Sequence, residues 1–223
     1  MQEKVLLELK KQIVEQATIV EKMIEKSMSG LLDKNKEKLE EVLNIDEDKV
    51  NQLEIDISKR CTIDIASFQP MAKDLRIILM SYEMTHDLER MGDLAVNIAE
   101  SALFLIERPF IEHLEKLQVM AEETRTMVKE SIDAVINEDE HLAKKVLKND
   151  DVVDNLQKEI REYVSGLMKK DSSYIERGLH IIRVAHNLER IADHSTNICE
   201  EALFIAKGKV VMHHANGDSI ENE

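Results

Sequence analysis

Apolar residues recur along this chain at intervals of three and four as far as about position 207, with charged residues filling the complementary face. That spacing follows the α-helical repeat and predicts amphipathic helices rather than strands. Six stretches carry it, from about Glu3 to Met28, Asn35 to Ser67, Pro70 to Glu107, Ile111 to Asn137, Glu140 to Lys170 and Ser173 to Ala206. Gly30 reads as the glycine that ends the first helix, and Pro70 as a first-turn residue of the third. The last segment, GKVVMHHANGDSIENE, loses the period and reads as a frayed tail.

The pattern is written twice. HDLERMGDLAVNIAESALFL (His86 to Leu105) and HNLERIADHSTNICEEALFI (His186 to Ile205) agree at 11 of 20 positions. Upstream, EVLNIDEDKVNQLEIDI resembles KVLKNDDVVDNLQKEI with one residue inserted. Long helices joined by short connections pack antiparallel. The expected fold class is therefore all-α, two tandem, internally duplicated three-helix bundles over residues 1–108 and 109–207, followed by a polar tail at 208–223.

The duplicated helix separates two faces. At about 100° per residue, Met84, Met91, Ile98 and Leu105 form an apolar line, repeated as Val184, Ile191, Ile198 and Ile205. On the opposite side His86, Glu89, Asp93, Asn97 and Glu100 fall within about 80° of one another. Glu89 and Asp93 are like charges one turn apart, a pairing that costs a few tenths of a kcal/mol on an isolated helix. A solvated face gains nothing by keeping that cost through a duplication that has changed the core line. Two carboxylates at i and i+4 with an amide oxygen one turn on make an oxygen-rich cation site. The candidate metal ligands are Glu89, Asp93 and Asn97 in the first repeat and Glu189, Asp193 and Asn197 in the second. With no cysteine beside them and histidine only at the flank, iron, zinc, manganese and magnesium all remain open. Arg90 and Arg190, directly after the glutamates, read as members of surface or semi-buried ion pairs.

Composition supports the helical reading and excludes several functions. Six glycines, two prolines, no tryptophan and 34% charged residues suit long helices. A formal net charge of -15 repels a phosphate backbone or an anionic membrane, so neither nucleic acid nor lipid is expected as a direct partner. The two cysteines, Cys61 and Cys199, lie in apolar-periodic stretches and read as buried free thiols of a reducing compartment. The charged start MQEKVLLELKKQ lacks the apolar run of a signal peptide, so a cytoplasmic location is expected. Glycine-rich phosphate loops and nucleophile-and-base arrangements are missing from the sequence, and no enzymatic role is expected. EMTH and EDEH, ending at His86 and His141, match the Glu-x-x-His of di-iron bundles, but Arg183 stands where a second-repeat copy of Glu83 would be. A di-iron oxidase or metal-dependent phosphatase is thus the remote alternative.

LERMGDLAVNI and LERIADHSTNI resemble the paired Glu-x-x-x-Asp signatures of the PhoU family, and QPMAKDLR (Gln69 to Arg76) is similar to the stretch that precedes the first of them. The resemblance spans about residues 1–207. It implies metal clusters, iron or zinc, held by Glu89, Asp93, Glu189 and Asp193, with Asn97 and Asn197 as neighbours and Glu54 and Asp154 as further candidates. It also implies a negative regulator of phosphate uptake and phosphate-starvation signalling. Its partners would be components of the phosphate-specific ABC transporter and its sensor histidine kinase, its membrane contact would run only through them, and homodimerisation is open. An accessory role for another phosphate transporter and a metal-free helical scaffold are the alternatives. Two departures stand out: Ala192 replaces the usual glycine, and DSSYIERG replaces a second QPxAxDLR.

Overall fold

The computed structural model describes residues 2–207, so the expected tail at 208–223 lies outside the described residues, as does the side chain of Ile205. The chain forms α1 (Gln2–Leu32), α2 (Lys36–Glu41), a π-helical turn (Val42–Asp46), α3 (Glu47–Phe68), α4 (Ala72–Ile106), α5 (Glu115–Asn137), α6 (Glu140–Lys170) and α7 (Ile175–Lys207). A single 3₁₀ turn, Ser172–Tyr174, leads into α7. Because α2, the π turn and α3 follow one another without a break, each half of the chain is a three-helix bundle. α4 and α7 pack against each other as well as against their own bundles, and α1 also meets α5. One continuous apolar core results.

The contacts between α4 and α7 fix their direction. His194 meets Asp87 near one end, while Arg183 meets Asn97 and His180 stacks on Phe104 toward the other. The two copies of the duplicated helix therefore run antiparallel. Ala95, Ala99 and Ala102 of α4 and Ala185, Ala192 and Cys199 of α7 are buried, and such small residues let a helix packed on several sides approach its neighbours closely. Met84, Met91, Ile98 and Leu105 are buried as the apolar line requires, and so are Val184, Ile191 and Ile198.

Buried polar groups tie the helices at defined heights. Gln16 of α1 donates to the carbonyls of Thr85 (3.1 Å) and Val50 (3.4 Å) and accepts from Thr85 Oγ1 at 2.7 Å, so one amide binds α1, α3 and α4 together. Such an amide is costly to bury unless it is satisfied this fully. Ser27 Oγ donates to the Ala95 carbonyl at 3.1 Å. In the second bundle Thr124 Oγ1 reaches the Leu188 carbonyl at 3.4 Å.

Several expected boundaries move, each for a local reason. Gly30 does not end α1: the helix continues to Leu32, and Lys34 takes the left-handed conformation instead, with φ of 53°. What Gly30 provides is room, since a Cβ there would stand 2.5 Å from Leu39 Cδ2. The third helix starts at Ala72 rather than Pro70, after a left-handed Gln69 closes α3. The fourth starts at Glu115 rather than Ile111, because Ile111 and Leu114 are already buried in the connection and hold it non-helical. The sixth starts one 3₁₀ turn after Ser172, with Asp171 capping Ser173 N–H at 2.8 Å.

The second helix departs most, with its π turn at Val42–Asp46. A π turn accommodates one extra residue within a helix. Val42 matches Val146 before it, and Val50 and Ile57 match Val153 and Ile160 after it, so the turn absorbs the residue that the first repeat has in excess. All six of these valines and isoleucines are buried. Asp46, inside the turn, is buried against Lys26, which also holds Glu41 at 3.0 Å. Aligning Met23 and Ser27 with Met127 and Ser131 places Glu130 at the position of Lys26, and Lys145 stands at the position of Glu41. Glu130 and Lys145 form an ion pair too, with the signs exchanged.

Removing Lys26 leaves the buried Asp46 carboxylate to the longer contact with Lys49, at 3.4 Å, whereas Lys145 is 62% exposed. Lys26→Met is expected to lower stability by about 2–3 kcal/mol and Lys145→Met by less than about 1 kcal/mol, as read from urea denaturation midpoints.

Candidate functional site

The outer faces of α4 and α7 carry the duplicated polar ridges. Glu89 and Glu189 are half-buried, while Asp93 and Asp193 are exposed. Helix periodicity puts each pair on one side of its helix, and the preceding helix of the same bundle supplies further acids. Beside α4 these are Glu54, which meets His86 Nδ1 at 3.0 Å, and Glu47, which lies close to Asp93 and Glu100. Beside α7 Asp154 adjoins Glu189 and Asp193. Asp150, Asp193, Asn197 and Glu200 line one open concavity of about 390 Å³.

The acids repel one another. Burial, then Asp93 and Glu54, raise the pKa of Glu89 above its ordinary value, against the pull of Arg90 and His86. Glu47 is raised by burial and then by Asp93. In the second repeat Glu189 is raised by burial and Asp193, and Asp193 by burial and Asp154, although His186, His194 and Arg190 oppose these shifts. His186 Nδ1 lies 3.0 Å from Glu189, on its own helix, whereas His86 reaches across to Glu54.

Glu47 and Asp150 are the residues that sequence reasoning missed. The π turn sets Glu47 opposite Asp150, Asn51 opposite Asp154 and Glu54 opposite Gln157, so the further candidates Glu54 and Asp154 are not equivalent positions. The signal was the one-residue gap between the repeats, which gives the shift once its place is known. A Cβ on Gly92 would stand 3.2 Å from Val50 Cγ1, a tight crossing in the first bundle, while Ala192 is fully buried at the matching place in the second.

These residues fit a cation by the chemistry of their donors: oxygen ligands from two helices, crowded and short of positive charge. Among the described residues no three His, Cys, Asp or Glu side chains stand converged around one point. Holding an ion would take rotation of the carboxylates about their χ angles, which surface positions on a helix permit. The di-iron alternative lacks its geometry. Glu138 ends α5 in a left-handed conformation and pairs with Lys73 at 2.7 Å, more than three turns along α4 from His86.

The PhoU domain model matches residues 13–102 and again 117–202, one match on each bundle. The chain belongs to the PhoU family. It is 40% identical over 210 residues to a phosphate-specific transport system accessory protein PhoU homolog of Aquifex aeolicus, covering 94% of this chain and 95% of that one. PhoU homolog 1 of Thermotoga maritima is 33% identical, covering 96% of this chain and 93% of its own. The crystal structure of PhoU from Pseudomonas aeruginosa superposes with a TM-score of 0.90 at 30% identity, over 94% of this chain and all of that one. The regulatory protein PhoU from Streptococcus pneumoniae gives 0.88 at 27%, over 95% of this chain and all of that one.

Other features of this PhoU chain agree with its sequence. Both cysteines are buried and free, and burial pushes the Cys61 thiol up to about 12. Among the described residues no helix is long and apolar enough to cross a membrane.

At the α4–α7 seam Glu201 has an enclosed Oε2 without a hydrogen-bond partner, and burial together with Asp87, Glu83 and Glu200 pushes its carboxyl up to about 9. The folded chain therefore keeps a proton that the unfolded chain loses above its ordinary value of 4.5. Native protein binding more protons means that stability falls as pH rises through that window. Metal-free protein is expected to melt at lower temperature near pH 8.5 than near pH 6.5, and Glu201→Gln, which keeps the neutral form, to narrow the difference in thermal scans.

Proposed function

We propose that this PhoU-family chain regulates phosphate uptake by binding partners rather than by catalysis, with metal held on its two acid ridges. Support for the first part comes from relatives named as phosphate-specific transport system accessory proteins, which match nearly the whole chain. The observation that carries the second is the crowding of acids around Glu89–Asp93 and Glu189–Asp193, where burial and mutual repulsion raise carboxyl pKa values and only scattered Arg and His side chains oppose them. Glu89, Asp93, Glu189 and Asp193 would hold the ions, with Glu47 and Asp150 from the neighbouring helices and Asn97 and Asn197 at the flank. Iron or zinc would supply positive charge that lets these acids ionise together. The chain's own part is to present them on two rigid helices.

In this reading the protein lowers transport by the phosphate-specific ABC transporter and signalling by its sensor kinase, working at the membrane through those proteins alone. The unconverged side chains favour one rival, a metal-free scaffold whose ridges meet basic partner surfaces. Elemental analysis separates the two. Protein purified without chelator or a metal-affinity tag is expected to carry iron or zinc, and Asp93→Ala with Asp193→Ala to lower it while leaving the helical circular dichroism unchanged. Metal-free protein that stays so after reconstitution would favour the scaffold. In phosphate-replete cells, loss of the protein is expected to raise uptake of radiolabelled phosphate, and the wild-type chain to restore it.

A further inference from the structure

The register of the α4–α7 seam brings one pair of duplicated residues level with each other. His194 lies 2.9 Å from Asp87, and Arg183 meets Asn97 further along α4. Arg90 stands one turn beyond Asp87 on α4, and Arg190 stands one turn before His194 on α7. Because the helices are antiparallel, these two arginines fall at the same height. On the helical repeat Arg90 shares a stripe of α4 with Asp87 and Asn97, as Arg190 shares one of α7 with Arg183 and His194. Both are exposed, so one guanidinium from each bundle stands on the outer side of the seam at its centre.

The ion pairs expected of these arginines are not formed. Among the described residues neither Arg90 nor Arg190 has a hydrogen-bond or ion-pair partner. They act on the ridges only at longer range, Arg90 on Glu89 and Arg190 on Asp193. Other arginines along the seam are engaged: Arg183 with Glu100, Arg108 with the Phe104 carbonyl and Arg177 with the Pro109 carbonyl. Two unpaired guanidinium forks side by side repel each other, and a group that accepts hydrogen bonds from both relieves the repulsion.

We propose that Arg90 and Arg190 clamp one phosphate oxyanion at the centre of the α4–α7 face. This rests on the metal-binding reading given above. Asp93 and Asp193 follow the arginines by one turn on their own helices, so in the metal-free chain acids flank the clamp on both sides and repel an anion. Metal on the ridges offsets that repulsion and leaves the arginines as donors. A tetrahedral dianion has oxygens for both forks, whereas a carboxylate fills one. Arg190 also lines the concavity of about 390 Å³, which has room for such an ion. Held between α4 and α7, phosphate ties the two bundles together, so its concentration acts on the seam directly.

Equilibrium dialysis of zinc-loaded protein against radiolabelled orthophosphate tests this, with zinc content measured on the same samples. Arg90→Gln and Arg190→Gln are each expected to weaken phosphate binding by about tenfold, and the two together by about a hundredfold, with zinc content unchanged. Arg90→Lys with Arg190→Lys, which keeps the charge and loses the forks, is expected to fall in between. Chelator-stripped wild-type protein is expected to bind phosphate at least about tenfold more weakly than loaded protein. Zinc-loaded protein that binds no phosphate overturns the inference while the metal reading stands, as does a double Gln variant that binds phosphate as the wild type does. If the protein takes up no zinc, the metal reading fails and this inference fails with it. Both arginines are exposed, and circular dichroism checks that their variants keep the fold.

Discussion

The antiparallel contact between α4 and α7 governs the arrangement of the molecule. Each is the third helix of its own bundle, and each also serves as a wall for the other bundle, so both must be apolar over most of their circumference. Only a narrow arc is left for polar residues. The acid ridge occupies it, which is why Glu89, Asp93, Glu189 and Asp193 sit next to the second helix of each bundle and not on a freely solvated face. The partial burial of Glu89 and Glu189 follows from helix packing, and the electrostatic tension follows from that burial and from the neighbouring Asp93 and Asp193.

That tension separates structural from functional requirements. A helix selected for stability alone would place a lysine among these acids, as α1 places Lys26 beside Glu41 and Asp46. Instead Arg90 and Arg190 are exposed at the margin, and the carboxylates next to them remain crowded. Protein folds commonly keep such unfavourable electrostatics where a ligand will later relieve it.

Much of this could be read from residue order. The apolar period gave the helices, the hundred-residue echo gave the two bundles, and the drift of the core line against the steadiness of the polar line pointed to the ridges. What escaped depended on contacts between distant parts of the chain. The gap between the repeats did not show that Val42–Asp46 would widen into a π turn, which is what sets Glu47 opposite Asp150. Arg183 looked like the loss of a glutamate, and its meeting with Asn97 arises only from the way the bundles are joined. Gly30 looked like a helix end, and only the packed position of Leu39 shows why a side chain is excluded there.

The exchanged signs of Lys26–Glu41 and Glu130–Lys145 bear on how a duplicated chain finds its fold. A protein that contains the same three-helix unit twice can assemble hybrids, with the first helix of one unit docked on the second helix of the other. Such hybrids would bury similar apolar surface, because the core positions of the two units match. In a hybrid, however, Lys26 would face Lys145 and Glu41 would face Glu130, and two attractions would become two repulsions. Each helix thus carries a charge that identifies its proper unit, and the distinction is enforced at the positions where the first two helices of a bundle meet.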